Sequence, residues 1–373
     1  MKIISVVGAR PQFIKAAMIA QAIRAFNQDA DSRQRFYHLL VHTGQHYDSR
    51  MSKIFFDQLD IPRQAYNLKI GSCGHAVQTG KMLIRLEKVL LKERPRLLLT
   101  YGDTNSALAG ALTAVKLSIP IAHVEAGLRS FNRSMPEEVN RILIDHISHL
   151  CFCPTQSAVK NLKIEGIVEG VYHTGDVMID ALKYYAKIAI KKSTILDKLN
   201  INARKYYLAT IHRPANTDNK GNLRDIINAF CSLDLPVIFP VHPRTKRKLF
   251  NIGFPLNKSN IVIIEPVSYF DMLTLEKYAK TVFTDSGGVQ KEAYFFEVPC
   301  ITLRTETEWI ETVTEGWNVI AGADKTKIIR SALTFSSPFR GKNIFGRGRA
   351  AEKITRIISR FLSQHRDSIC CES

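Results

Sequence analysis

The chain has 373 residues, 45% hydrophobic and 23% charged, with 52 Lys and Arg against 34 Asp and Glu for a formal net charge of +18. That length exceeds one ordinary core and fits two domains of about 150 to 200 residues each. No apolar run reaches the roughly 18 residues that span a bilayer, and the composition excludes a disordered or low-complexity chain.

The opening "MKIISVVGARP" has one Lys before a short apolar run and no small-residue cleavage site, so the expectation is a cytoplasmic protein with no membrane partner. From residue 3 to 7 the run is β-rich. Gly8 and Pro11 then punctuate it, and an amphipathic helix is expected over 13–26. Arg10 and Lys15 beside that helix start form a natural seat for an anion, or else lie solvated on the surface.

Further along, the apolar runs "FYHLLVHTG", "LLLTYG", "IAHVEA" and "LCFCPT" complete a first series, and "KYYLATIH", "VIFPVHP", "IVIIEP", "TVFTDSG" and "CITLR" a second. Helical patterns fill the gaps near 75–92, 104–117, 137–149, 222–231, 268–279 and 287–296. Continuous apolar strands separated by helices predict parallel sheets covered on both faces. Two series predict two Rossmann-like α/β domains, with the seam in 170–200. A last helix near 349–364 has no strand after it and is free to fold back on the first domain.

Ligands collect beyond the carboxyl ends of parallel strands, so residues there have special weight. They are Gly8 to Arg10, His42 to His46, Gly102 to Thr104, Glu125 to Arg129, His212 to Asn216, His242 to Arg244 and Asp285 to Gly288. Asp103 is either a helix cap or, near Glu125, half of a carboxylate pair for acid and base work. Arg129 could instead neutralise Glu125. Glu137 and Arg141 stand at i and i+4, where a weak surface pair is the plain reading. Ser286, Gly287 and Gly288 can offer backbone N–H groups to a phosphate, and Glu292 one turn later can accept hydrogen bonds from ribose hydroxyls. His212 and Arg213 sit at the end of the first strand of the second series.

No metal is expected. His42 and His46 straddle Gly44, and His146 and His149, at i and i+3 on a helix, lack a third ligand. The seven cysteines, Cys73, Cys151, Cys153, Cys231, Cys300, Cys370 and Cys371, are scattered and read as reduced thiols. The basic excess favours an anionic substrate, and without an RNP pattern, zinc finger or helix-turn-helix nucleic acid is not the expected partner.

"GARPQFIK", "HTGQHYD", "YGDTNSALAGALTA", "HVEAGLRS", "MPEEVNR", "HTGDVMIDAL", "IHRPANTDN" and "TDSGGVQKEA" resemble, in order and spacing, the non-hydrolysing UDP-N-acetylglucosamine 2-epimerases. The resemblance runs from Lys2 to about residue 365. It implies a GT-B type fold: 1–172 carrying catalytic carboxylates, 173–348 binding UDP across a cleft, and 349–365 crossing back to the first domain. It implies a homodimer, a UDP-sugar substrate, no cofactor, and reversible C-2 epimerisation by elimination and re-addition of UDP through 2-acetamidoglucal, feeding cell-surface polysaccharide synthesis. By motif, Asp103, Glu125 and Glu137 look like the acid and base carboxylates, with Arg141 supporting Glu137. Arg10 and Lys15 resemble contacts near the diphosphate or sugar, and His212 a residue that contacts the diphosphate or closes the cleft. Ser286, Gly287 and Gly288 fall to phosphate and Glu292 to ribose. Gln12, Ala215 and Lys291 depart from the family pattern. A hydrolysing 2-epimerase and a GT-B glycosyltransferase are the alternatives.

Overall fold

A computed structural model describes residues 1–32, 34–45, 64–241, 243–251, 260–338 and 341–365, without the side chains of Arg10, Pro243, Arg244 and Asn251. The readings on His46, His242, Cys370, Cys371 and the Arg10 and Arg244 side chains lie outside the described residues. The chain divides into two compact units, Met1–Ala181 with the segment from Ile344 onward, and Leu182–Asn343.

The first unit is a parallel sheet of β1 (Lys2–Val7), β2 (Tyr37–His42), β3 (Tyr66–Asn67), β4 (Leu97–Tyr101), β5 (Ile121–Val124), β6 (Leu150–Cys153) and β7 (Val171–His173) in the order β3-β2-β1-β4-β5-β6-β7. Helices cover both faces, so β4 is buried at every position and shows no polar alternation. Ile4, Val6, Val41 and Leu98 pack under Met82, Leu86 and Leu90 of helix His75–Glu93 and Ala107 and Ala111 of helix Asn105–Lys116.

The second unit repeats the plan with β8 (Tyr207–Thr210), β9 (Val237–Pro240), β10 (Ile261–Ile264), β11 (Thr281–Thr284), β12 (Cys300–Thr302) and β13 (Asn318–Ile320), ordered β10-β9-β8-β11-β12-β13. Tyr207, Phe239 and Phe283 face Ile226, Phe230 and Ile328 on one side of this sheet; Tyr206, Leu208 and Val282 face Leu275 and Ala293 on the other. Both sheets are Rossmann-like. In each, strand order reverses next to the first strand, at β1/β4 and β8/β11, and that is where an open sheet leaves a crevice for a ligand.

The last helix, Ala350–Gln364, packs on helix Arg10–Asp29. It buries Ile354, Ile358 and Leu362, each worth roughly 1.5–3 kcal/mol relative to exposure. Its first turn is capped from far away in sequence: Ala350 and Ala351 donate backbone N–H groups to the Asp180 carboxylate at 3.1 and 2.8 Å.

Three details differ from expectation. Strands β3, β7 and β13 join the sheets as edge or near-edge pieces of two or three residues, too short to carry a pattern in the sequence. The first helix starts at Arg10, since Gln12 reaches back to the N–H groups of Gly8 and Ala9. His149 is not on the helix with His146: that helix stops at Ile147, and His149 leads into β6. Among the described residues no group of His, Cys, Asp and Glu could hold a metal ion, and no helix is long and apolar enough to cross a membrane.

Candidate active site

In the first unit the loops after β1, β4 and β5 converge on Gly102. Gln12 ties two of them. Its Oε1 accepts from Gly8 and Ala9, and its Nε2 donates to the Tyr101 carbonyl at 2.7 Å and the Thr104 hydroxyl at 2.9 Å. Thr104, not Asp103, caps helix Asn105–Lys116 by accepting from the Ala107 N–H, which leaves the Asp103 carboxylate for other work. Close approach forces glycine at position 8, where a Cβ would lie 2.0 Å from the Ser106 hydroxyl oxygen.

Two of the candidate carboxylates each have their own cation. Lys15, buried to 5% exposure, pairs with Glu125. Arg141, also buried, donates from Nη2 to Asp103 Oδ2 at 2.5 Å and from Nη1 to Glu138 Oε2 at 2.6 Å. Gly102 lies at φ +61, and a Cβ there would stand 3.6 Å from Lys15 Nζ and 4.0 Å from Glu125 Oε2, so the loop brings the two pairs together. Glu125 itself sits at φ 75, in the left-handed region. Holding a glutamate there costs of order 1–3 kcal/mol and is a feature of functional sites. The strain is held by the Glu125 and Ala126 N–H groups, both bonded to the Phe152 carbonyl at 3.1 Å.

Two pairings that the sequence left open do not occur. Arg129 does not neutralise Glu125; it bonds Asp145 and, with two nitrogens, Glu165. Arg141 does not pair with Glu137, because its guanidinium turns inward to Asp103 and Glu138. Glu138, which carries no signal of its own in the sequence, anchors the loop before the helix by accepting from the Ser130 and Phe131 N–H groups. Glu137 stands half-buried in the first turn of helix Pro136–Ile147, where the helix dipole favours a carboxylate. Beneath these loops His123 meets an acceptor on each ring nitrogen, Asp145 Oδ1 at 2.7 Å and the Gly102 carbonyl at 2.8 Å, and so fixes the Gly102 turn.

In the second unit the organiser is Asp285, fully buried at the end of β11. Its carboxylate accepts from the N–H groups of His212 and Arg213 and from Asn216 Nδ2, and lies 3.0 Å from His212 Nδ1. Burial opposes the charge, but the His212, Asn216 and Arg213 partners outweigh it and hold the carboxyl below its ordinary range. The imidazole of His212 remains 57% exposed, so one ring nitrogen is anchored while the ring edge faces solvent. In the sequence Asp285 stands at a strand end without a role; its burial is what reveals one.

Next to it, helix Gly287–Phe295 starts with Ser286 as N-cap residue and no side-chain cap bond, so its first N–H groups are left for an anion. The two glycines are unequal. A Cβ at Gly287 would lie 2.4 Å from Glu308 Oε1 and 3.0 Å from Trp309 Nε1, whereas one at Gly288 meets nothing closer than Ser286 Oγ at 3.8 Å. Gly287→Ala is therefore expected to lower the thermal transition by several degrees and Gly288→Ala by much less, as calorimetry would read; equal losses would remove the close-approach argument. Lys291, one turn in, is buried with its Nζ 3.9 Å from the Trp309 ring centroid. This cation–π seat accounts for a lysine at that position.

A family model described as UDP-N-acetylglucosamine 2-epimerase matches residues 28–359. A protein of Methanococcus maripaludis named a UDP-N-acetylglucosamine 2-epimerase homolog is 52% identical over 96% of this chain and 99% of its own length. The UDP-2,3-diacetamido-2,3-dideoxy-D-glucuronate 2-epimerase of Pseudomonas aeruginosa is 44% identical over 96% of this chain and all of its own. Among solved structures, the UDP-GlcNAc 2-epimerase of Methanocaldococcus jannaschii in complex with UDP-GlcNAc and UDP superposes with a TM-score of 0.89 at 45% identity, over 96% of this chain and 100% of that one. The two parallel Rossmann-like sheets are those of a GT-B type fold. On the family match and these relatives, the chain belongs to the UDP-N-acetylglucosamine 2-epimerase family.

Proposed function

We propose that the protein is a non-hydrolysing epimerase that interconverts a UDP-2-acetamido sugar and its C-2 epimer, with UDP-N-acetylglucosamine and UDP-N-acetylmannosamine as the first pair. The observation that carries this reading is the pairing of two carboxylates with two buried cations around Gly102, at the switch point of the first sheet. The C-2 proton is not acidic, so direct inversion is slow. Elimination solves this: a base takes the C-2 proton, the C-1 to oxygen bond breaks, and UDP leaves with its electron pair to give 2-acetamidoglucal. Returning a proton to the opposite face and the diphosphate to C-1 gives the epimer.

Asp103, Glu125 and Glu137 are the candidates for this proton traffic, within reach of the roles their loops allow. Lys15 and Arg10 favour the departing diphosphate, Ser286, Gly287 and Gly288 offer it backbone N–H groups, His212 contacts it, and Glu292 takes the ribose hydroxyls. No cofactor enters the scheme. The relative named for a diacetamido-glucuronate shares the chemistry on a more decorated ring, so that ring is the second substrate to test.

The experiment is NMR in deuterated water with each UDP-sugar, following C-2 and free UDP together. Epimer formation with deuterium at C-2 and no accumulating UDP supports the reading. Stoichiometric release of UDP replaces it with a hydrolysing enzyme, and an absence of exchange with both sugars replaces it with a transferase. A cytoplasmic enzyme supplying polysaccharide synthesis is part of the same proposal, as is a homodimer. Helix His75–Glu93 exposes Val77, Ile84 and Leu91 at seven-residue spacing, one apolar stripe suited to a second copy. Sedimentation at twice the 42.1 kDa chain mass would support the dimer, and a monomer would end it.

A further inference from the structure

Glu276, in helix Tyr269–Tyr278, has no exposed surface. Neither of its oxygens meets an N–H or O–H donor. The group within hydrogen-bonding reach is the carboxyl of Glu292, on the helix packed against it and itself buried. Tyr206 and Cys300 are its other titratable neighbours, and burial keeps both neutral, the thiol pushed up to about 12. A buried acid in a packed core costs stability where an apolar side chain of similar volume would add to it. Its presence here calls for a return elsewhere.

Two carboxyl groups in contact and away from water do not both ionise; they share one proton. Burial, then the Glu292 charge, pushes Glu276 well above the ordinary carboxyl range, so Glu276 keeps the proton and Glu292 the charge. We propose that Glu276 is a positioning residue, donating its O–H to Glu292 and holding that carboxylate ionised and aimed at the vicinal hydroxyls of the nucleotide ribose. The proposal rests on the reading of Glu292 as the ribose ligand. A carboxylate with one oxygen tied by a fixed donor has its remaining lone pairs set in direction, and hydrogen bonds to an ionised acceptor are about twice as strong as neutral ones.

The test compares equilibrium binding of UDP and 2′-deoxy-UDP to the full-length wild type and to Glu276→Met, Glu276→Gln and Glu292→Gln variants. Wild type is expected to prefer UDP at least tenfold. Glu276→Met should narrow that preference to about twofold with little change in 2′-deoxy-UDP affinity, while Glu276→Gln, whose amide N–H replaces the O–H, should restore most of it. Equal weakening of both nucleotides in Glu276→Met, or an unchanged preference, would overturn the proposal in favour of plain packing. A wild type without preference, or a Glu292→Gln variant that keeps it, would instead sink the ribose reading of Glu292 and the proposal with it. Should Glu276→Met not fold, the infrared band of a protonated carboxyl, present in wild type and lost in Glu276→Gln, decides the protonation claim; its absence from wild type overturns it.

Discussion

Glu125→Gln is expected to slow exchange of the C-2 proton by about 10²–10⁴-fold, the usual contribution of a positioned acid or base. Glutamine keeps the size and a hydrogen-bonding oxygen but cannot take a proton, and it removes the charge that faces Lys15. Binding of UDP alone should not weaken, because the uncapped helix start belongs to the other unit's loops and Lys15, released from Glu125, keeps its charge for the diphosphate. The measurement is deuterium incorporation at C-2 alongside a UDP titration. Exchange within tenfold of wild type would take Glu125 out of the proton traffic and leave its left-handed backbone without a chemical reason.

Asp285→Ala should be the most damaging single change in the second unit. It strips the acceptor from the part-buried His212 and Arg213 N–H groups and from the buried Asn216 Nδ2. An orphaned buried donor costs roughly 1–3 kcal/mol, so three bound the sum at about 3–9 kcal/mol, toward the low end because two of these bonds are only part-buried. Thermal unfolding followed with UDP affinity reads it: the transition of residues 182–343 moves down by several degrees and the affinity falls with it. A variant that melts with wild type would show that His212 and Arg213 hold their places without Asp285.

The pH dependence has a definite sign. The folded carboxyl lies below its ordinary value, so its stabilisation is complete above that value and is lost only as pH falls through the lower, folded one. Titration of the Asp285 carboxyl itself therefore adds no slope to the deficit of Asp285→Ala between pH 5 and 8, and its contribution should be lost only in strong acid. A deficit that changes across the neutral range would assign the effect to another group.

The fold was legible because buried parallel strands leave an unmistakable trace. "LLLTY" is apolar nearly throughout since both faces of β4 are covered, and "IAHV" and "LCFC" follow the same rule. The loops of interest were legible for a topological reason: polar residues just past the carboxyl end of a buried parallel strand lie where an open sheet meets its ligand. Pairing was not legible. Arg141 has Glu137, Glu138 and Asp103 within plausible reach, and only the inward turn of its helix face selects the last two. Buried anchors such as Gln12, Asp285 and Glu276 also escaped, because their roles depend on neighbours distant in the chain, as when Gln12 bonds the Tyr101 carbonyl.

The return of helix Ala350–Gln364 to the first unit makes the second unit, in chain terms, an insertion within it. A ribosome delivers the first sheet early and the helix that packs on Arg10–Asp29 only after the whole second unit. Until then the face of helix Arg10–Asp29 that the last helix covers stays bare, and the Asp180 carboxylate lacks the N–H groups it will cap. The nascent first unit thus waits, incompletely covered, through the synthesis of the whole second one. Loss of helix Ala350–Gln364 would act more than three hundred residues away in the chain, on the element that carries Lys15.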